Sequence, residues 1–391
     1  MNAKYQLVTL GHPNSFKGRI LEVFFDRLKD LGLSRNSIAI IDESNFKEQN
    51  RNYNPTVALY FGGVKKLHPH RDTLKFLVHE AAIVLPIVSD LTRFKRLVPT
   101  ELHKINGFSL TTEQEIEALV SAILEGFSLL RLSRRLFISY RRSESPGVAI
   151  QLFEQFEKAG FDVFLDAYSL RPGDIFQDEL WHRLADTDVV ILLNTAGFCA
   201  SKWTKMELAE ASGMAISILQ LVWPENLPLE ASDLTTRLQL TKHDFDKRVY
   251  KRPDSSLSGR LIPEIVSRVE SLRARSLGAR QDNLITEFLR VTQRRHISAT
   301  LQPQRYITID PGSRKREKVI IPTVGVPQAF LYNKSDELVK KFIKRKRYDV
   351  YLLYDQKNIK ESWINHLSWL DKYLPIKAIP IVDVEKWMDL N

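Results

Sequence analysis

Cysteine and long apolar runs are scarce in this sequence of 391 residues. The single cysteine, Cys199, excludes a disulfide within the chain. No apolar run reaches the roughly 18 residues that a membrane-spanning helix needs, and the first residues lack the apolar core of a signal peptide. We therefore expect a soluble, cytoplasmic protein that has no contact with a membrane.

Motifs that hold metals or phosphates are also missing. The nine histidines form neither an H-E-x-x-H pattern nor a cluster with cysteine, so no metal site is predicted. The segment 11–18 contains two glycines but lacks the Gly-Lys-Ser/Thr of a phosphate-binding loop, and no G-x-G-x-x-G occurs. We interpret that segment as a plain turn between a strand and a helix, and we expect no bound cofactor.

Positive charge is in excess, with a formal net charge of +10. Part of it comes from two short basic runs, residues 314–316 and 344–347. Such charge favours a polyanionic partner, but no recognition-helix or RNA-binding pattern accompanies the runs. Two interpretations stay open: a solvated basic face, or a surface through which nucleic acid triggers the protein.

The amino-terminal part alternates between strand and helix patterns, which is typical of a parallel α/β sheet. Strands are predicted at residues 5–10, 37–42, 56–61 and 83–88, and a helix at 16–31. Thr112 and Glu115 form a capping box that predicts a helix over 116–130. These elements define a first α/β module at residues 1–131.

The same element order then returns, which makes a structural duplication plausible. Strands are predicted at residues 135–140, 162–165, 189–193 and 216–222, with helices at 148–158 and 175–184. Short strands and tight connections predict a flavodoxin-like parallel sheet with helices on both faces over residues 132–250. A basic helical connector at 251–300 follows. A third α/β module is predicted at 301–391, with strands at 319–321, 349–354 and 376–382, a turn at 310–312 and a helix at 362–374.

Three motifs in the second module occur in a fixed order. The first motif, Phe137-Ile-Ser-Tyr-Arg-Arg142, covers the end of the first predicted strand and the residues that follow it. The second motif, Asp166 with Pro172-Gly173, lies in the loop after the second predicted strand. Ser201, Trp203 and Glu207 follow the third strand. Together these residues resemble the Toll/interleukin-1 receptor (TIR) domain family over residues 133–250, and in particular its bacterial-type NAD⁺-cleaving members. The resemblance implies a Trp-x-x-x-Glu helix and, after the second strand, the mobile segment called the BB loop.

The chemistry of NAD⁺ cleavage fits a single carboxylate. Nicotinamide in NAD⁺ is already a pyridinium cation and leaves as a neutral molecule, so no general acid is needed, unlike in most glycosidases. One carboxylate beside the ribose can stabilise the developing oxocarbenium charge. Trp203 and Glu207 are four residues apart and share one face of a helix. We predict Glu207 as the catalytic carboxylate and Trp203 as one wall of the pocket.

The resemblance implies substrate-binding roles for further positions. Tyr140, Arg141 and Arg142 follow the first strand at the edge where doubly wound sheets bind ligands, so an arginine there is expected to meet the pyrophosphate. Asp166 and Gly173 bracket the BB loop, whose turn residues suit a lid. Ser201 is predicted as the N-cap of the Trp203 helix, which is a structural role first.

An alternative assigns Trp203 to the core and Glu207 to an exposed helix face. The protein is then a non-enzymatic TIR signalling adaptor or scaffold. Glu210 lies three residues beyond Glu207 and shares part of its face, so it is the natural comparison for any test. The first module has no corresponding Trp-x-x-x-Glu, and Pro99 disfavours a continuous helix there. We expect it to be TIR-like but noncatalytic.

From these residues we predict an NAD⁺ glycohydrolase that cleaves the nicotinamide–ribose bond, with NAD⁺ as substrate and ADP-ribose or a cyclic form as product. An unregulated enzyme of this kind would harm its own cell. We therefore expect an antiviral immune effector gated by homo-oligomerisation through TIR–TIR contacts, by a protein activator, or by nucleic acid. The outer modules are expected to serve sensing or assembly.

Overall fold

The computed structural model describes residues 3–50, 54–63, 68–80, 82–127, 129–165, 176–198, 213–229, 235–302, 305–309, 316–342 and 348–390. The chain divides into two compact units, Met1–Leu132 and Ser133–Asn391. Within the described ranges, no helix has both the length and the apolar character needed to cross a membrane.

The first unit is built on five parallel strands. They are β1 (Tyr5–Gly11), β2 (Ile38–Asp42), β3 (Thr56–Phe61), β4 (Ile83–Val88) and β5 (Phe108–Ser109). Its helices are α1 (Phe16–Asp30), α2 (Phe46–Gln49), α3 (Arg71–His79), α4 (Phe94–Leu97) and α5 (Ile116–Gly126). The strand order is β2-β1-β3-β4-β5. This is the flavodoxin-like order, in which the chain starts in the middle and adds strands first on one side and then on the other.

Apolar patterning explains the central strands and the last helix of this unit. Almost all of β1 and β3 is buried, as expected for strands covered on both faces. The predicted capping box is present, with the Thr112 backbone N–H donating to the Glu115 carboxylate at 3.0 Å. Helix α5 ends at Gly126, earlier than predicted, because the chain turns and packs the Phe127 ring against Tyr5.

The second unit begins with another five-stranded parallel sheet. Its strands are β6 (Arg135–Ser139), β7 (Asp162–Leu165), β8 (Val189–Asn194), β9 (Ser217–Val222) and β10 (Thr235–Gln239), and its helices include α6 (Pro146–Lys158) and α7 (Phe176–Ala185). The order β10-β9-β8-β6-β7 repeats that of the first sheet. Both faces of the sheet are covered, since Phe137 packs toward α7 whereas its neighbours Leu136 and Ile138 pack in the opposite cluster.

The third sheet is mixed. Its strands are β11 (Ala299–Leu301), β12 (Ile307–Ile309), β13 (Glu317–Pro322), β14 (Tyr348–Tyr354) and β15 (Lys377–Pro380). The first two pairings are antiparallel and the last two are parallel. The helices of this module are α9 (Ala329–Phe342), α10 (Glu361–Tyr373) and α11 (Val384–Leu390).

One long helix, α8 (Ile262–Arg294), belongs to the cores of both sheets of the second unit. Ile262, Ile265, Val269 and Leu272 in its first half are buried in the cluster on β6 and β8. Leu284, Ile285, Phe288 and Val291 in its second half are buried against the third sheet. The helix is therefore a shared structural element, and it links the two sheets through apolar packing.

Buried charges fix the first half of α8 to the second sheet. The Arg273 guanidinium donates to the Asp188 carboxylate at 3.0 Å, and both side chains are fully buried. The same carboxylate accepts from the backbone N–H of Arg135 at 3.1 Å. Arg134 pairs with Glu270 one turn earlier on the helix. These contacts fix the position of α8 along the sheet, because a sliding motion would leave charges buried without partners.

Helix α7 also contacts the third module directly. The His182 ring stacks on Trp363 with 5.5 Å between ring centroids, and Lys360 forms an ion pair with Glu179. The Asp186 carboxylate accepts from the Val326 backbone N–H at 3.1 Å. The helix that follows the segment of Asp166 and Gly173 is thus in contact with the carboxy-terminal module.

The predicted α/β class, with a flavodoxin-like central sheet flanked by two further α/β modules, is confirmed. The strand predicted at 376–382 is wrong at its carboxyl end, since β15 stops at Pro380 and residues 381–383 form a 3₁₀ turn. The turn predicted at 310–312 lies outside the described residues. As expected from Pro99, α4 ends at Leu97 and no long helix continues there.

Candidate functional site

The carboxyl edge of the second sheet contains the point where the strand order reverses. Strands β6 and β8 are neighbours although β7 lies between them in sequence. In doubly wound sheets the loops that leave two such strands run to opposite faces, and ligands bind between them. Residues 140–145 and 195–198 are the described parts of these two loops.

A carboxylate joins the two loops. Glu144, in the loop after β6, accepts from the Arg141 guanidinium at 2.6 Å. The other oxygen of the same carboxylate accepts from the backbone N–H of Gly197, in the turn after β8, at 3.0 Å. One side chain thereby sets the distance between the two loops at the switch point.

The environment of Glu144 keeps it ionised. Partial burial by itself would raise the pKa of this carboxyl. The adjacent Thr195 hydroxyl, the Gly197 N–H and the Arg141 guanidinium outweigh that effect and lower the pKa below its ordinary value. The negative charge that holds the loops together is therefore present throughout the neutral pH range.

Gly197 is required by the close approach of the Arg141–Glu144 pair. A Cβ atom at this position would overlap the guanidinium, and it would lie 2.2 Å from the Glu144 carboxylate oxygen. Any side chain here must displace the ion pair. The absence of a side chain at Gly197 is thus a steric condition for this arrangement.

Asn194, the last residue of β8, organises the next loop along the same edge. Its buried side chain donates to the Leu227 carbonyl at 3.1 Å. The Asn226 side chain donates to the Asn194 amide oxygen at 2.9 Å. Hydrogen bonds to and from the Asn194 side chain therefore help to hold the loop after β9 beside the switch point.

The three described candidate residues have different surroundings. Tyr140 is buried and belongs to the apolar cluster on the α6 face, so its ring contributes to the core. Arg141 pairs with Glu144 and its side chain is 38% exposed, and Arg142 is exposed at the same edge. Both arginines therefore present their side chains to solvent.

The remaining candidates, Asp166, Gly173, Ser201, Trp203 and Glu207, lie outside the described residues. Phe198, the last described residue before the second group, is fully buried against the α7 face of the sheet. The segment that contains Trp203 and Glu207 therefore begins directly after the Gly197 turn, at the sheet edge where Glu144 joins the two loops.

The corresponding edge of the first sheet differs in composition. Two backbone hydrogen bonds link the segments that meet at this edge. The Gly62 N–H donates to the Ile87 carbonyl at 2.7 Å, and the Gly63 N–H donates to the Leu97 carbonyl at 3.0 Å. His68 lies near it, and burial together with nearby cationic and histidine side chains lowers its pKa. Among the described residues of the chain, no group of three His, Cys, Asp or Glu side chains is placed to hold a metal ion.

Glu144 and Gly197 were not predicted from the sequence. They are 53 positions apart, and no local motif connects them. The only local signal is an acidic residue three positions after an arginine in the loop that ends a buried strand. This signal is too common to single out the pair before the strand order is known.

Comparison with known proteins identifies this part of the chain. Residues 136–252 match the TIR domain family, so the chain contains a TIR domain. No curated protein matches the sequence. Among solved structures, a conserved domain protein from Vibrio cholerae is similar at 13% identity over 85% of this chain and 98% of its own length, with a TM-score of 0.17. That score is too low to support any conclusion.

Proposed function

We propose that the TIR domain at residues 136–252 cleaves NAD⁺ at the bond between nicotinamide and ribose, with Glu207 as the catalytic carboxylate. The observation that carries the proposal is the Glu144 contact with Arg141 and Gly197, which fixes the two loops of the switch-point edge just before the segment of Trp203 and Glu207 begins. Doubly wound sheets bind their ligands at this position. The match to the TIR family also supports the proposal, because some TIR domains act on NAD⁺.

The proposed chemistry requires one negative charge beside the ribose. As the glycosidic bond breaks, its electron pair moves onto the nicotinamide nitrogen, which becomes neutral, and positive charge develops on the ribose. The Glu207 carboxylate stabilises that charge, and the indole of Trp203 forms an apolar wall that excludes water from one side. Water at the ribose carbon gives ADP-ribose, whereas an adenine nitrogen gives a cyclic product.

The described arginines suggest how the rest of NAD⁺ is held. Arg141 is engaged by Glu144, so its role is to position the loop. Arg142 is exposed at the same edge, and we assign to it the contact with the pyrophosphate. Tyr140 supports this loop from the core, and Ser201 caps the helix of Trp203.

Regulation is the second part of the proposal. We propose that TIR domains assemble head to tail and that the segment between Asp166 and Gly173 of one copy completes the pocket of the next. The modules at 1–131 and 301–391 then serve sensing or assembly, in line with a role in antiviral defence. A protein activator or a nucleic acid is the proposed trigger. Under this proposal the rate of NAD⁺ loss per molecule rises with protein concentration.

The test is incubation of the full-length protein with NAD⁺ over a range of protein concentrations, with separation of nicotinamide, ADP-ribose and cyclic ADP-ribose. The proposal predicts release of nicotinamide in equal amount to the ribose product. If NAD⁺ stays intact even when the protein is assembled, the enzyme proposal is wrong and the non-enzymatic adaptor takes its place.

A further inference from the structure

A cavity of about 320 Å³ lies within the second unit, where the TIR domain, α8 and the third sheet meet. Three of its lining residues, Thr323, Asp355 and Ile381, directly follow the parallel strands β13, β14 and β15. Ligands of α/β sheets bind outside the carboxyl ends of such strands. The volume is within the range of sites for small molecules, about 300–1,000 Å³. The cavity thus has the position and size of a ligand site of the third sheet.

The charges around the cavity favour an anion. Its lining includes three cationic side chains, Arg280, Arg290 and Lys357, and two carboxylates, Asp355 and Glu287. Glu287 pairs with Arg290 at 2.6 Å. Among the described residues of the lining, cationic side chains therefore outnumber carboxylates by one, which favours an anion in a cleft.

One of the cations, Arg280, is positioned by contacts with backbone carbonyls. The Arg280 guanidinium donates to the Thr187 carbonyl at 2.8 Å and to the Ala185 carbonyl at 2.5 Å, which holds it at one wall. The Lys357 ammonium reaches across to the TIR domain, where it lies 3.9 Å from the place that a Cβ on Gly213 would occupy. Because the position of Arg280 is set before a ligand arrives, less entropy is lost when its guanidinium binds the ligand.

The uncharged part of the lining is mixed: Met214, Leu284, Val324 and Ile381 form an apolar wall, and Asn283, Thr286 and Thr323 are polar. Met214 and Leu284 are nearly buried and belong to the cores of the two adjoining sheets. An inorganic anion would make no contact with this apolar surface. The combination suits a molecule with a phosphate at one end and a flat, weakly polar ring at the other.

We propose that this cavity binds a nucleoside monophosphate, with its phosphate paired to the cationic side chains and its ring against the apolar wall. The site is separate from the switch-point edge of the TIR domain, and the proposal does not depend on NAD⁺ cleavage. Gly213 and Met214 follow Glu207 by six and seven positions. An occupant therefore contacts the TIR chain shortly after the predicted catalytic residue.

The test is calorimetric titration of the full-length protein with four probes: AMP, UMP, inorganic phosphate and adenosine. Lys357→Glu is the cavity variant, and Lys372→Glu, exposed on α10, is its charge-matched control. Loss of a charge-assisted contact corresponds to about tenfold weaker binding or more. Lys357→Met and Arg290→Gln remove positive charge without reversing it. They replace Lys357→Glu as the cavity variants in the titration if that protein does not fold.

We expect AMP or UMP to bind the wild type and the Lys372→Glu protein equally, and to bind each cavity variant at least about tenfold more weakly. Inorganic phosphate and adenosine should bind more weakly than the nucleotides. Equal binding of a nucleotide to the cavity variants and the control would overturn the proposal, as would adenosine or phosphate binding as well as AMP. Absence of binding by both nucleotides at millimolar concentration would also overturn it.

Discussion

At the scale of single residues, Glu144 determines how the two loops of the candidate site meet. Its carboxylate is held on one side by a guanidinium and on the other by a backbone N–H, which among substitutions at Gly197 only proline would remove. Replacing Glu144 by glutamine keeps the shape but removes the charge that makes both hydrogen bonds strong. The site thus depends on a residue that we do not expect to touch NAD⁺ itself.

Gly197→Ala is the sharpest residue-level test of this contact. The added methyl group overlaps the Arg141–Glu144 pair, so these side chains must move and the contact that positions the two loops is disturbed. We expect NAD⁺ cleavage to fall by about tenfold or more, since misplacement by about 1 Å can cost a hundredfold in rate. Gly259→Ala is the control, because a Cβ there meets nothing within 4 Å. Equal activity of the two variants would show that the contact does not position the site.

His182 is the residue from which a pH dependence is expected. Burial lowers its pKa to about 4, and the nearby cations Arg183, Lys360 and Arg135 act in the same direction against the opposing effect of Glu179. As the pH falls, His182 is protonated in the unfolded chain, where its pKa is 6.5, before it is protonated in the folded protein. His182 therefore destabilises the fold between pH 6.5 and about 4, by up to about 1.4 kcal/mol per pH unit.

This dependence can be measured by urea unfolding at pH 7 and pH 5. All six tryptophans lie beyond residue 132, so their fluorescence reports on the second unit alone. His182→Gln should lose less stability between the two pH values than the wild type does. His366→Gln, an exposed histidine on α10, is the matched control. A His182→Gln protein with the wild-type loss would contradict the assignment.

At the scale of elements, the sequence predicted what depends on local pattern. Apolar runs marked the buried strands β1, β3, β4, β6, β7, β8 and β9 almost to the residue. Strand β10 was missed because its Thr-Thr-Arg-Leu-Gln is mostly polar and half exposed, and β5 because it has only two residues. A helical connector at 251–300 was predicted from the sequence, but not that its helix α8 completes two cores. That property depends on partners distant in sequence.

The buried ion pair between Arg273 and Asp188 is the element-level prediction. Arg273→Met should lower the free energy of unfolding of the second unit by about 3–5 kcal/mol, because the Asp188 carboxylate loses its buried counter-charge. Adding Asp188→Asn should restore much of that loss, since no uncompensated charge then remains. Urea unfolding followed by tryptophan fluorescence measures both variants. A double variant as unstable as the single one would show that packing of the arginine, and not its charge, is what matters.

At the scale of the whole molecule, the TIR match ends at residue 252 whereas the core of the domain does not. Four apolar side chains of α8 are buried in that core, each contributing about 1.5–3 kcal/mol. Their sum is comparable to the whole stability of a typical domain, about 5–15 kcal/mol. The second unit, Ser133–Asn391, is accordingly the smallest part of the chain that we expect to fold around this sheet.

Two fragments test this expectation. Residues 133–391 should unfold in a cooperative transition, whereas residues 133–258, which lack α8, should expose the apolar face of β6 and β8 and aggregate or remain unfolded. Circular dichroism melting and size-exclusion chromatography distinguish the two. A stable, monomeric 133–258 fragment would show that the third module is dispensable for the TIR fold, and that α8 is only a connector.

The measurement that tests the central claim most directly is the rate of nicotinamide release from NAD⁺ by the full-length wild type, Glu207→Gln and Glu210→Gln. The two substitutions remove the same charge three positions apart, so they are matched for fold and surface charge. We predict that Glu207→Gln lowers the rate by at least about a hundredfold, as expected when the group that stabilises transition-state charge is lost, and that Glu210→Gln stays near the wild type. Equal rates for all three proteins would contradict the assignment of Glu207 as the catalytic carboxylate.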